Sequence, residues 1–281
     1  MAIAHRRPPL GQHFLKSSSI LDRIARAVEA AAVDSELIIE IGAGNGELTC
    51  RLLGQGRRVL AIEIDARLAG EVQAKLRQEH SLEVLRADVL ELDLRKLIAA
   101  RTAQPAVVTG NLPYYITSPI LRGIFDAGEV IAQAVLLMQR EVAARVVARS
   151  GGRQYGFLSL LCQAHSRPEL LFTAPPGAFR PAPRVTSALV RFPIEPRLKQ
   201  CGVADRRAFL EFGQLCFQHK RKTLRNNLAG RFGKERLAGC PQARLRAEQL
   251  GLEGLAELWL RLADPGRSAA GRAGSSAAPE A

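Results

Sequence analysis

Apolar positions along this chain follow two rhythms. Ile20, Leu21, Ile24, Ala25 and Val28 recur at helical spacing and predict a helix over 19–32, with Ser19 and Asp22 as an S-x-x-D start signal. Five short apolar runs then predict buried strands: "LIIEI" (37–41), "RVLAIEI" (58–64), "LEVLRAD" (82–88), "AVVTG" (106–110) and "AVLLM" (134–138). Helical stretches separate them at 47–53, 66–78, 94–100 and 140–148, with a further helix starting at Ser118-Pro119, an N-cap followed by a proline at the first helical position. Strands alternating with helices predict a doubly wound, mostly parallel sheet.

The alternation loosens after residue 150. "YGFLSLLCQ" (155–163) reads as helical, while "ELLFTAP" (169–175) and "SALVRFPI" (187–194) read as strands around a proline-rich loop, bringing the expected strand count to seven. "PIEPRLKQ" (193–200) has the composition of a linker, and 205–262 has helical periodicity with Phe209, Phe212, Leu215 and Cys216 on one face. The expected organisation is an α/β domain over 1–196, a small all-helical domain over 197–263, and a tail over 264–281 too poor in bulky apolar residues to fold.

A chain of 281 residues with 47% hydrophobic content can bury a sizeable core. It has no apolar run near the roughly 20 residues that span a bilayer, and no apolar segment at its start that would read as a secretory signal. A cytoplasmic protein without membrane contact is the expectation. Five cysteines (Cys50, Cys162, Cys201, Cys216, Cys240) form no C-x-x-C pair and no zinc spacing with histidine, so reduced thiols, no metal and no disulfide are expected. Charge adds more. Lys and Arg number 40 against 27 Asp and Glu, a net +13. Residues 196–281 hold 16 of those bases against 8 acids, so the C-terminal third is the more basic part. Such a surplus points to a polyanionic partner, although basic charge also serves solubility.

Candidate chemistry sits at strand ends. "EIGAGNGELT" (40–49) sets Gly42, Gly44 and Gly46 between the first predicted strand and its helix, where the chain turns tightly and a ligand approaches closely. The spacing is G-x-G-x-G rather than G-x-G-x-x-G, and Glu47 puts a carboxylate beside the helix start; both oppose a pyrophosphate and hence NAD. Glu63 ends the second strand, where a carboxylate accepts from both hydroxyls of a ribose, and Asp88 ends the third, where it can hold a base amino group. A plain turn, a solvated strand end with Asp65 as the competing acid, and a helix cap are the bland alternatives. Together the three strand ends suggest an adenosine-type ligand without a pyrophosphate.

"NLPY" (111–114) follows the fourth strand. If the first strand is central, the fourth lies beside it across the switch in strand order, and Asn111 faces the ligand of the glycine loop. An exocyclic adenine amine is a poor nucleophile because its lone pair is delocalised. The Asn111 side-chain oxygen and the Leu112 carbonyl, aimed at its hydrogens, would localise that pair; Pro113 stiffens the loop and Tyr114 offers a ring for the base to stack on. A methyl group on a sulfonium, held in line, could then be displaced. A loop with core tyrosines is the competing reading.

With these residues in place, the sequence resembles S-adenosyl-L-methionine-dependent ribosomal RNA adenine N6-dimethyltransferases, and among them the small-subunit 16S enzymes. The resemblance runs from about Gly11 to about Leu262 through "GQHFL" (11–15), "EIGAGNGELT", "AIEID" (61–65), "ADVL" (87–90), "GNLPYYITSPIL" (110–121), "MQREVAARV" (138–146), "YGFLSLLCQ", "FRPAPRVTSALVRF" (179–192) and "FQHKRKTLRNNL" (217–228). It implies a Rossmann-like class I methyltransferase fold acting as a monomer on 16S rRNA within the small ribosomal subunit, during its biogenesis. It implies that His13, Leu15, Gly42, Gly44, Glu63, Asp88 and Asn111 line the S-adenosyl-L-methionine site. Asn111, Leu112, Pro113 and Tyr114 would receive the target adenine, with Phe179 closing over the base's other face. Lys220, Arg221, Lys222 and Arg225, packed into one or two turns with 221, 222 and 225 on one helix side, are the expected RNA contacts, a solvated helix face being the bland alternative. Thr186 departs from the acid that many relatives carry in the "P-x-V-x-S" stretch. The rivals are the same chemistry on 23S rRNA, a NAD-dependent oxidoreductase, and a non-catalytic ribosome-assembly factor on this fold.

Overall fold

The computed structural model describes residues 13–113 and 115–263. Tyr114 and the tail 264–281 lie outside the described residues. The chain forms two compact units, residues 13–147 with 165–195, and residues 148–164 with 196 onward.

The first unit carries nine strands: β1 (Phe14–Leu15), β2 (Leu37–Ile41), β3 (Arg58–Glu63), β4 (Leu82–Arg86), β5 (Ala106–Asn111), β6 (Ile131–Gln139), β7 (Glu169–Ala174), β8 (Phe179–Arg180) and β9 (Ser187–Pro193). Seven of them make one sheet in the order β4-β3-β2-β5-β6-β9-β7. The pairs from β4 to β6 are parallel; β6–β9 and β9–β7 are antiparallel. The central strands are mostly apolar because both faces are covered: every residue of β2 is buried. The six helices of this unit are α1 (Ser18–Ala31), α2 (Glu47–Leu53), α3 (Ala66–Lys75), α4 (Leu94–Ala99), α5 (Thr117–Ala127) and α6 (Arg140–Val146).

Helix α1 forms where the spacing predicts it, one residue earlier, and buries Ile20, Leu21, Ile24, Ala25 and Val28. Of these, Ile20, Leu21, Ile24 and Val28 join Leu48 and Leu52 of α2 on a sheet face built from Ile38, Val107, Val135 and Leu137. An ion pair from Arg51 to Asp22 at 2.8 Å ties α2 to α1. Helix α5 begins at Thr117, one residue before the expected Ser118 cap. The two-residue strands β1 and β8 are not predicted from sequence. They pair with each other, Leu15 opposite Phe179, outside the main sheet.

The second unit holds α7 (Phe157–Gln163), α8 (Arg197–Gln200), α9 (Arg206–Phe217), α10 (Leu224–Phe232), α11 (Lys234–Ala238) and α12 (Ala247–Ala263). Here the expected domain boundary needs correcting. Residues 148–164, assigned to the α/β domain from their place in the chain, belong to the helical unit. Leu160 of α7 and Ala164 just after it are buried in one core with Phe209, Phe212 and Cys216 of α9, Leu228 of α10 and Leu255 of α12. Helices α7 and α9 approach so closely that a Cβ at Gly213 would stand 2.7 Å from the Leu160 side chain.

Candidate active site

Strand order alone places a crevice. The chain runs outward from β2 through β3 to β4, then returns to lay β5 on the other side of β2, so the switch point falls between β2 and β5. Register then decides which side chains share a face. Glu40 pairs with Thr109, and Ile41 with Gly110, so Gly42 follows in step with Asn111. Neighbouring strands keep their alternation in phase, which sends Glu40, Thr109 and Asn111 toward the α1–α2 face. A Cβ on Gly42 would reach 4.0 Å from the Asn111 carbonyl oxygen, and one on Gly110 would sit 2.4 Å from the Ile41 carbonyl oxygen. That second figure explains Gly110: β2 and β5 leave no room for a side chain at that point.

A cleft of about 480 Å³, its open mouth included, lies at this switch point. Phe14, Leu15, Leu21, Ile24, Leu48 and Leu137 make its apolar wall; Gly42, Gly44, Asn45, Gly110 and Asn111 make its rim, with Glu40 and Glu47 as its acids. Gly42, Gly44 and Gly46 adopt φ of 77°, 56° and 74°, the left-handed conformation that side chains resist. A Cβ on Gly44 would also come within 3.1 Å of the Phe14 ring. The loop therefore presents bare backbone to the cleft.

Glu63 braces that loop. It is 2% exposed, and its Oε2 accepts from the Gly44 amide at 2.9 Å while Oε1 accepts from the Asp65 amide at 2.9 Å. The rival acid Asp65 is used as the N-cap of α3, accepting from Arg67 and Leu68 amides at 2.8 and 3.2 Å. Asp88 caps the 3₁₀ turn 89–91 by accepting from the Leu90 amide at 3.0 Å. Neither Glu63 nor Asp88 lines this cleft. Glu47, at the start of α2, is paired with Lys75 at 3.0 Å and with Arg51 at 3.7 Å.

The amide of Asn111 is oriented rather than free. Its Nδ2 donates to the His13 backbone carbonyl at 2.9 Å. Only the nitrogen can serve a carbonyl, so this partner decides which end is which and leaves Oδ1 as the acceptor. His13 is held in turn by its Nδ1, 2.8 Å from the Pro181 carbonyl, and by the β1–β8 pairing next to it. The segment that sequence reading does not recognise as a strand thus positions the Asn111 side chain. The Leu112 amide donates to the Leu137 carbonyl at 3.0 Å, and the Pro113 carbonyl accepts from the Ile116 amide at 3.2 Å, which fixes the loop after β5. The ring of Tyr115 is exposed.

Of the expected donor residues, the structure brings Leu15, Gly42, Gly44 and Asn111 into one cleft wall and sets His13 directly behind Asn111. Phe179 is placed differently from its expected role. It is 2% exposed and packed in the core with Leu15, Ala178 and Leu189, because its pairing with Leu15 turns the ring inward.

The basic cluster also differs from its expected form. Helix α9 ends at Phe217 and α10 begins at Leu224, so Lys220, Arg221 and Lys222 occupy a turn, closed by the Lys222 amide on the His219 carbonyl at 2.9 Å. Arg225 lies in the first turn of α10. The four are exposed, and the Lys220 ammonium donates to the Arg153 carbonyl at 2.6 Å. They therefore crown an interhelical turn instead of sharing one helix face. Among the described residues no helix is long and apolar enough to cross a membrane, and no cluster of His, Cys, Asp and Glu could hold a metal ion.

A mostly parallel seven-stranded sheet with an antiparallel final pair, and a glycine-edged cleft at its switch, define a Rossmann-like methyltransferase fold. The family model described as ribosomal RNA adenine dimethylase matches residues 3–255, and the chain belongs to that family. Among curated proteins, it is 41% identical to Ribosomal RNA small subunit methyltransferase A of Acidobacterium capsulatum, over 92% of each chain. It is 36% identical to the protein of the same name from Koribacter versatilis, over 92% of this chain and 94% of the relative. Among solved structures, a dimethyladenosine transferase from Plasmodium falciparum shares the fold at a TM-score of 0.75 and 24% identity, covering 90% of this chain and 98% of the other. The 23S rRNA methyltransferase ErmE aligns at a TM-score of 0.65 and 25% identity, covering 89% and 100%.

Proposed function

We propose that this chain transfers methyl groups from S-adenosyl-L-methionine to N6 of two adjacent adenosines near the 3′ end of 16S rRNA, twice on each, during small-subunit biogenesis. The observation that carries the reading is the Asn111 amide, pinned through Nδ2 to the His13 carbonyl so that Oδ1 is a fixed acceptor on the rim of a glycine-edged cleft. The identities of 36–41% to proteins named for the small subunit favour 16S over 23S rRNA as the substrate.

The residues present fit the donor. Gly42 and Gly44 bring backbone without side chains to the cleft, the wall is apolar, Glu63 ends β3, and Asp88 follows the end of β4 by two residues. Gly42, Gly44 and Leu15 would hold the donor, with Glu63 on the ribose hydroxyls and Asp88 on the adenine amine. S-adenosyl-L-methionine supplies an electrophilic methyl on a sulfonium. The chain's part is to make the substrate amine nucleophilic and to aim it. Asn111 Oδ1 and the Leu112 carbonyl accept from the two N6 hydrogens, localising the nitrogen lone pair as positive charge develops there. Pro113 keeps both acceptors in place, and Tyr114, outside the described residues, is the ring this reading assigns to stack on the base. The acceptors are preorganised by β5, β6 and His13. The target adenine must leave its stack to reach them.

Lys220, Arg221, Lys222 and Arg225 contact rRNA phosphates in this reading, their projection from a turn suiting backbone contacts that read shape. In this reading the chain acts in the cytoplasm as a monomer, and sedimentation of the purified protein would test the latter. Labelled S-adenosyl-L-methionine offered with unmethylated small subunits, large subunits and naked rRNA tests the function. Label is expected on small-subunit adenine N6; label confined to large-subunit RNA would move the assignment to 23S rRNA.

A further inference from the structure

One ionisable group in the cleft has no part in the chemistry above. Glu40 lies in mid-strand on β2, is 2% exposed, and contributes to the cleft wall. Its Oε2 accepts from the Thr49 hydroxyl at 2.6 Å. Among the described residues, the groups packed around it supply no cation. From β3 comes Glu63, a like charge; from α2 come Thr49 and, farther toward solvent, Glu47, whose carboxylate is already paired with Lys75 and Arg51. From α1 come Leu21 and Ile24, from β1 Phe14 and Leu15, and from β6 Leu137, all apolar; β5 offers the neutral Thr109 and Asn111. The imidazole of His13 is turned to Pro181.

A buried carboxylate without a counter-charge is costly, so the group holds its proton: burial first, with Glu63 adding to it against the Thr49 bond, pushes the Glu40 carboxyl up from 4.5 to about 8. Such a wall suits a cation. The donor assigned above carries a sulfonium; its product, S-adenosylhomocysteine, has a neutral thioether in its place and is otherwise the same molecule.

We propose that Glu40 is a proton-linked counter-charge that distinguishes the methyl donor from the spent product, giving up its proton when the sulfonium enters and regaining one when the thioether is left. The inference rests on the donor named under the proposed function. Its balance closes. In the transfer the S–CH3 bond breaks, its electron pair stays on sulfur, the N–CH3 bond forms, and one N6 proton leaves; the sulfonium charge disappears as one proton is freed and one is taken up at Glu40 from solvent. The cleft then keeps a neutral acid against a neutral product, with no charge pair holding it, which favours replacement by fresh donor in a reaction that needs four transfers.

Calorimetric titration of the full chain with S-adenosyl-L-methionine and, separately, S-adenosylhomocysteine, in buffers of different ionisation enthalpy, tests this. Near pH 7 the donor is expected to release about one proton more per site than the product, and the donor-to-product affinity ratio to rise roughly tenfold from pH 7 to 9. Glu40→Gln keeps the shape and an acceptor for Thr49; it is expected to abolish the difference in proton release and flatten the ratio, while S-adenosylhomocysteine binding shows that the cleft is intact. Thr49→Val removes the bond that favours the ionised carboxylate, so the midpoint of the pH dependence should move upward, a readout that stands even if Glu40→Gln fails to fold. Equal proton release by both ligands, or a donor-specific release that survives in Glu40→Gln, would overturn the inference. Binding of neither ligand by the unaltered chain would instead remove the donor assignment.

Discussion

Single side chains show how the cleft divides its labour. Asn111 gives its nitrogen to His13 and keeps its oxygen for the substrate, so its loss should affect chemistry more than donor affinity. Asn111→Ala is expected to lower kcat by about 10²–10³, the cost of removing one preorganised partner of developing charge, while the Kd for S-adenosyl-L-methionine changes only a few fold. Near-normal turnover in that variant would remove the mechanism. Glu40 makes a separate prediction about stability. Its carboxyl is raised to about 8 when folded against an ordinary 4.5, so between those values the folded chain binds more protons than the unfolded one. Stability from this group is full below about pH 4.5 and falls as pH climbs toward 8, by on the order of a few kcal/mol. Without ligand, the Tm of the unaltered chain should therefore drop more steeply between pH 5 and 8 than that of Glu40→Gln; parallel curves would count against the burial of this carboxyl.

At the scale of elements, the closeness of β2 and β5 is the tightest geometric demand. A methyl at Gly110 would meet the Ile41 carbonyl oxygen at 2.4 Å, and backbone on both sides cannot yield as a side chain would. Gly110→Ala is expected to destabilise the chain by about 1–3 kcal/mol in denaturant unfolding and to weaken donor binding, since Ile41 leads directly into Gly42. Helix α9 depends on a cap: Asp205 accepts from the Ala208 amide at 2.9 Å. Asp205→Ala should cost about 0.5–2 kcal/mol with little effect on donor affinity, measured on the same unfolding curve. The β1–β8 ribbon shows the opposite relation between length and importance. Two residues from each strand suffice to hold His13 behind Asn111.

For the whole molecule, the question is how a strongly basic chain finds one site on an RNA. Its net charge of +13 would draw any polyanion, whereas Lys220, Arg221 and Lys222 on one interhelical turn and Arg225 at the start of α10 form a local exposed basic group. Changing all four to glutamine should weaken binding to small subunits and flatten its dependence on salt, by about one unit of log–log slope for each phosphate that is no longer neutralised. Donor affinity should be unaltered, because none of the four lines the cleft. An unchanged salt slope would place the RNA-binding surface elsewhere on the molecule.

Local patterning was enough to locate the seven strands of the main sheet and the helices between them, because each buried strand is a short apolar run and each helix has its own face. It was enough, too, to nominate Gly42, Gly44 and Asn111 as neighbours, since a glycine-rich turn after a central strand has few places to go in a parallel sheet. Two-residue strands carry no periodicity, so β1 and β8 and their hold on Asn111 emerged only when residues far apart in the chain, Leu15 and Phe179 among them, were seen paired. Segment 148–164 reads equally well on either side of a boundary; where its leucines are buried is decided by which core has room for them. Glu40 looked like part of a strand. Its burial, and the want of a cation among its described neighbours, are properties of what packs around it, and no stretch of sequence contains those neighbours together.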